Sequence, residues 1–166
     1  LQKGPDWFLK AAKEVANRND NIRFVIAGNG DMLNPIIEES VNLGIGDKVF
    51  FTNFLRGVDV DRAYELADLY VMPSVSEPFG ITALEALNRK KPIIISKQSG
   101  VSELINNCYK VDFWDSWKIA DSIIELIHNE ELNQKFSNNG YEELKNISWE
   151  NSASKCISVY NMMGAS

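Results

Sequence analysis

The stretch 69-LYVMPSVSEPFGITALEA-86 decides the fold. Leu69 to Met72 is a short apolar run that reads as a buried strand, and a helix follows from about Gly80 to Arg89. Pro78 disfavours helix at Glu77 and is tolerated near a helix start. The chain is therefore expected to turn helical around Phe79 or Gly80, with Glu77 in the preceding loop and Glu85 in the second helical turn. The backbone N–H groups of Gly80, Ile81 and Thr82 then have no partner inside the helix and sit at the positive end of its dipole. An anion such as a diphosphate fits there. Gly80 has no side chain to block close approach, and the two carboxylates can accept hydrogen bonds from hydroxyls on either side of the anion.

Outward from this unit, strands and helices alternate. Trp7, Phe8, Ala11, Ala12, Val15 and Ala16 recur at helical spacing after Pro5, with Asp6 expected as the N-cap. Ile22 to Ala27 reads as a buried strand stopped by Gly28-Asn29-Gly30. The apolar positions from Met32 to Leu43 then form a helix that ends before a strand at Val49 to Thr52. Asp59 to Leu66 is helical, and Pro92 to Ser96 is a strand. Val101 to Asn106 forms a short helix, Tyr109 to Val111 a short strand and Asp115 to His128 a helix, with further helical stretches over 130–145 and 149–162. This pattern implies an α/β domain: a parallel sheet with helices on both faces and ligands at the carboxyl ends of the strands. Residues 1–166 are expected to form one domain excised from a larger protein, because Lys3-Gly4 would normally end a strand and that strand is not in the sequence.

Composition narrows the function. A chain of 166 residues with 45% hydrophobic and 24% charged residues suffices for one buried core. The net charge of −6 and the lack of any Lys/Arg-rich run argue against a nucleic-acid partner. Cys108 and Cys156 stand far apart, without Cys or His at metal-ligand spacing, so neither a disulfide framework nor a zinc site is suggested. A reducing cytoplasm is the default location. No apolar run approaches the roughly 20 residues that span a bilayer.

Other features weigh less. Gly28-Asn29-Gly30 follows a strand, but the third glycine of a dinucleotide fingerprint would fall at Leu33, and no acid stands at the ribose position after Val49 to Thr52. A tight turn is the better reading, and a dehydrogenase or epimerase loses its main support. Lys3 either supplies a point charge to a diphosphate or is a frayed terminal lysine. Ser99-Gly100-Val101-Ser102-Glu103 suits an anion nest or ordinary helix capping equally. Trp114 and Trp117 beside Asp112 and Asp115 could offer a sugar platform, but aromatics at helical spacing are expected in the core. His128 sits near a helix end and is assigned no chemistry.

The run P-S-V-S-E-P-F-G-I-T-A-L-E-A resembles the glutamate-pair signature of retaining glycosyltransferases of family 4 (group 1), which have the two-domain GT-B fold. L-Q-K-G-P-D-W-F-L-K-A-A is similar to the start of their donor-binding C-terminal domain, F-V-I-A-G-N-G-D to its second strand and glycine turn, and A-D-L-Y-V-M-P-S to the strand before the signature. S-G-V-S-E-L-I and I-S-W-E-N-S-A are similar to later parts, in order, over nearly the whole chain. The implied architecture is a Rossmann-like three-layer sheet.

By that resemblance Glu77 contacts the transferred sugar and Glu85 holds the nucleotide ribose. Gly80, Ile81 and Thr82 bind the diphosphate through backbone amides, while Lys3 neutralises it on departure. Asn53-Phe54-Leu55 packs against the base, and Gly100 belongs to the loop on the sugar side. The sequence departs from the family in having Ser99-Gly100 where two glycines are common, and in starting after the arginine that pairs with the lysine. The implied activity is transfer of a hexose from a UDP-, ADP- or GDP-sugar to an acceptor hydroxyl with retention, without cofactor or metal. The implied partner is an acceptor-binding N-terminal domain of the same protein, without which this domain is expected to be inactive. The whole enzyme is expected in the cytoplasm, with peripheral attachment to a membrane left open. Alternatives are a glucan (glycogen-type) synthase, because S-E-P-F-G is shared with that group, and a non-catalytic sugar-nucleotide-binding module.

Overall fold

The computed structural model describes residues 2–164. Its elements alternate as expected: α1 (Pro5–Arg18), β1 (Phe24–Ala27), α2 (Leu33–Asn42), β2 (Val49–Asn53), α3 (Val58–Leu66), β3 (Tyr70–Met72), α4 (Ile81–Asn88), β4 (Ile93–Ser96), β5 (Tyr109–Val111), α5 (Ser116–His128), α6 (Glu130–Leu144) and α7 (Trp149–Gly164). A short 3-10 turn over Gly100–Glu103 replaces the longer helix expected there. Asp6 is not the N-cap of α1. Gly4 holds that position and Pro5 occupies the first helical residue, where its missing N–H costs nothing; Asp6 lies one residue further in, still favourably placed for the dipole.

The pairing is parallel throughout. β1 pairs with β2, with Phe24 opposite Val49, and β4 lies between β3 and β5, with Tyr70 opposite Ile93 and Ile94 opposite Tyr109. Every residue of β4 is buried, the mark of a strand covered on both faces. Its side chains alternate between two cores, as a two-residue period requires. Ile94 packs with Leu9 and Ala12 of α1 and with Ile119, Ile123 and Leu126 of α5. Ile93 and Ile95 pack with Ala83, Ala86 and Leu87 of α4 and with Val101 and Ile105. That is the expected α/β three-layer arrangement. On the β1–β2 ladder it is less complete, since Val25 and Phe50 remain about half exposed.

Two tryptophans depart from expectation. Trp114 and Trp117 are 52% and 58% exposed rather than core residues. The buried stripe of α5 runs through Ile119, Ala120, Ile123 and Leu126, which turns Trp117 outward under the Arg18 guanidinium. Helix α7 buries none of its residues. No helix among the described residues is long and apolar enough to cross a membrane.

Candidate functional site

The site is built where β3 ends. After Met72 the chain runs through Pro73 to Phe79 and enters α4 at Ile81, with Gly80 as the N-cap. Gly80 is buried with φ at 108°, and a Cβ there would lie 2.8 Å from Val101 Cγ1 and 3.1 Å from Met72 Cε. Only glycine fits both the backbone conformation and the space. The Ala83 N–H donates to the Gly80 carbonyl at 3.1 Å to close the first turn. Among the described residues the N–H groups of Gly80, Ile81 and Thr82 make no hydrogen bond with another part of the chain. Three donors are left at the positive end of the dipole, and Ile81 and Thr82 are solvent-exposed.

The loop after β4 holds this turn from the other side. Gly100 N–H donates to the Glu77 carbonyl at 2.9 Å, Val101 N–H donates to the Phe79 carbonyl at 2.6 Å, and Glu77 and Ser99 form an isolated parallel bridge. Ser99 is accommodated by an extended backbone, and its buried hydroxyl donates to the Ser96 carbonyl at 2.6 Å. Gly100 has no such freedom, because a Cβ there would sit 2.2 Å from the Pro78 carbonyl oxygen. We expect Gly100→Ala to force the two loops apart, lose the bond to Glu77 and destabilise the fold by about 3 kcal/mol. Denaturant midpoints measure this, and a loss below about 0.5 kcal/mol, the range of a neutral surface change, would contradict the packing described.

Two carboxylates flank the free amides. The Glu77 side chain is only 12% exposed and pairs with Lys3, whose own side chain is 69% exposed. The incoming segment is tied down beside it, with Val75 N–H donating to the Gln2 carbonyl at 3.0 Å. Exposure on the lysine side screens this pair and keeps it weak, so Lys3 can turn to a more highly charged anion. Glu85, partly buried on α4, accepts a hydrogen bond at Oε2 from the Tyr64 hydroxyl at 3.0 Å. Tyr64 also reaches the Thr82 carbonyl at 3.2 Å, and Tyr70 donates to Thr82 Oγ1 at 2.8 Å. Burial above all, with the neighbouring Tyr70 and the Glu85 carboxylate, pushes the Tyr64 hydroxyl far above its ordinary range, and burial also raises Tyr70. Both phenols therefore remain protonated donors.

A cavity of about 310 Å³ lies at the carboxyl end of β1, lined by Lys3, Ile26, Ala27, Gly28, Asn29 and Met32 among others. Lys3 thus borders both this cavity and Glu77. Gly28 N–H donates to the Asn53 carbonyl at 2.8 Å, extending the β1–β2 ladder, and the Asn29 side chain accepts from Gly30 N–H at 2.7 Å where the chain turns toward α2 along the cavity wall. Phe54 and Leu55 follow β2, on the ladder that carries neither α4 nor Glu77. Phe54 is 67% exposed, and the Arg56 guanidinium lies 5.5 Å from its ring centroid.

The fold therefore gathers Lys3, Glu77, Gly80, Ile81, Thr82, Glu85 and Gly100 around one helix terminus and leaves Phe54 and Leu55 at a neighbouring strand end. Sequence reasoning missed Tyr64, Tyr70 and Arg89. The Arg89 guanidinium lies 5.1 Å over the Tyr64 ring, donates to the Glu85 carbonyl at 3.0 Å and pairs with Asp61. Tyr64 lies 21 positions before Glu85, and no spacing rule connects residues on two different helices.

The model of the family described as glycosyl transferases group 1 matches residues 1–143. An uncharacterized glycosyltransferase of Methanocaldococcus jannaschii is 33% identical over 97% of this chain and 42% of its own length, so the chain spans well under half of that relative. Among solved structures, the C-terminal domain of a glycosyl transferase group 1 family protein (LpcC) from Francisella tularensis superposes with a TM-score of 0.79 at 27% identity, over 87% of this chain and 78% of that one. A mutant form of S. aureus TarM, solved in complex with fondaparinux, alpha-GlcNAc-glycerol and UDP, superposes with a TM-score of 0.85 at 22% identity, over 97% of this chain and 33% of that one.

Proposed function

The chain belongs to the group 1 glycosyl transferases, and on that premise we propose that it is the donor-binding domain of a retaining family 4 hexosyltransferase. The observation behind this reading is the α4 terminus, with three unpaired backbone N–H groups between Glu77 and Glu85. A nucleoside diphosphate sugar laid across it places its diphosphate on the amides of Gly80, Ile81 and Thr82, its sugar at Glu77 and its ribose at Glu85. UDP in the complex of S. aureus TarM, which shares the fold, supports a sugar ester of such a nucleoside diphosphate as the donor. Phe54 and Leu55 then flank the base, and Gly100 backs the sugar loop.

Transfer breaks the bond between the anomeric carbon and the diphosphate oxygen, so negative charge gathers on the departing diphosphate. The α4 amides and Lys3 stabilise that charge, and no metal is required for this. Glu77 orients the sugar, and closure against an acceptor-binding domain excludes water. We further propose that residues 1–166 form one domain of a longer chain, and that a strand ending near Lys3 fills the space between the β1–β2 ladder and β3. Gln2 lines the cavity together with Ile26 of β1, and its carbonyl accepts from Val75 N–H, in the loop after β3.

The test is to incubate the full-length protein with UDP-, ADP- and GDP-hexoses and acceptors and to follow nucleoside diphosphate release and the anomeric configuration of the product. The expected result is release from one donor class with the donor's anomeric configuration kept. Inversion would overturn the retaining assignment, and no release from any sugar nucleotide would overturn the enzyme reading.

A further inference from the structure

Glu85 is held before any ligand arrives. Its Oε2 accepts from the Tyr64 hydroxyl at 3.0 Å, while Oε1 has no hydrogen-bond partner among the described residues. Tyr64 reaches across from α3 and packs, partly buried, against the core that carries α4, while its hydroxyl points at Glu85. The ring is confined on two sides, by Tyr70 at 5.9 Å between centroids and by the Arg89 guanidinium at 5.1 Å. Arg89 in turn is fixed by Asp61 and by the Glu85 carbonyl at 3.0 Å. The arrangement leaves a glutamate with one oxygen pinned and the other open, on a side chain that otherwise samples three rotatable bonds.

We propose that Tyr64 is a positioning residue that sets the Glu85 carboxylate as an acceptor for the ribose hydroxyls of the donor nucleotide. The inference rests on the reading of Glu85 as the ribose-binding acid. Its physical basis is preorganisation: a carboxylate already aligned loses little rotamer freedom when it accepts a diol, whereas a free one must be ordered at the moment of binding. Burial raises the phenol further above neutral pH, where a tyrosine already holds its proton, so the hydroxyl stays a donor there.

The test compares UDP, ADP and GDP by titration, takes the tightest of them, and repeats the measurement with its 2′,3′-dideoxy form. Tyr64→Phe should weaken the ribonucleotide about tenfold and leave the dideoxy form unchanged. In a Glu85→Ala background it should alter neither, as expected for two residues that act as a unit. Tyr64→Met, which lacks the hydroxyl and has a different shape, must show the same selective loss, and thermal melting of each variant monitors the fold. Parallel weakening of both nucleotides, or undiminished ribose preference in Tyr64→Phe, would overturn the inference and leave Tyr64 a structural residue. A parent protein that binds both forms equally tightly would instead overturn the placement of the ribose at Glu85.

Discussion

Replacing Glu85 with alanine should weaken binding of the nucleoside diphosphate about 100-fold, since in the proposed placement one carboxylate supplies the acceptors for two ribose hydroxyls and a hydrogen bond to a charged group contributes about 1.5–3 kcal/mol. The loss should fall on binding and not on folding. Alanine suits the helix interior at this position of α4. The Tyr64 hydroxyl keeps an acceptor in the Thr82 carbonyl at 3.2 Å, so no buried donor is orphaned. Calorimetric titration with UDP, ADP and GDP measures the effect, and a loss under about threefold, less than one weak hydrogen bond, would remove Glu85 from the site.

Lys3→Ala should act on the chemical step. If the lysine meets charge that develops on the departing diphosphate, its removal from the full-length enzyme lowers kcat by about 100-fold, comparable with loss of one preorganised donor at a developing anion. KM should change far less, since the interaction is strongest in the transition state. Lys3 lies against Glu77 in the unliganded chain, so substitution also strips a mostly buried carboxylate of its counter-charge. Lys3→Arg separates the two effects. It preserves the charge beside Glu77 but changes its shape, and should recover stability fully and turnover in part. A kcat within about threefold of the parent in Lys3→Ala would place the charge stabilisation elsewhere, because an interaction worth so little in the transition state supplies under 1 kcal/mol.

Much of this site could be read from the order of residues alone. Pro78 and Gly80 act on the backbone directly, so the loop position of Glu77 and the start of α4 follow from local chemistry. The apolar run Pro92 to Ser96 likewise announced a doubly covered strand, although the period of two does not say which helices cover Ile94 and which cover Ile93 and Ile95. The cap of α1 departs from the expected Asp6 because the helix starts at Pro5, which leaves left-handed Gly4, two residues earlier, at the N-cap position. Trp114 and Trp117 were expected inside on side-chain type, yet the stripe through Ile119 and Ile123 decides which face of α5 is buried. Tyr64 carried no signal at all, because its link to Glu85 depends on how α3 lies against α4, which is a tertiary property. Arg89 stands four residues after Glu85, at helical spacing, but its contact with the Tyr64 ring is tertiary as well.

The most direct test of the α4 terminus as the donor site is the set of backbone amide signals of this chain titrated with UDP, ADP and GDP sugars. Signals from Gly80 to Glu85 should shift in the parent protein, and the shifts should vanish in Glu85→Ala. Unchanged signals over Gly80 to Glu85 at millimolar nucleotide, or shifts confined to other loops, would contradict it.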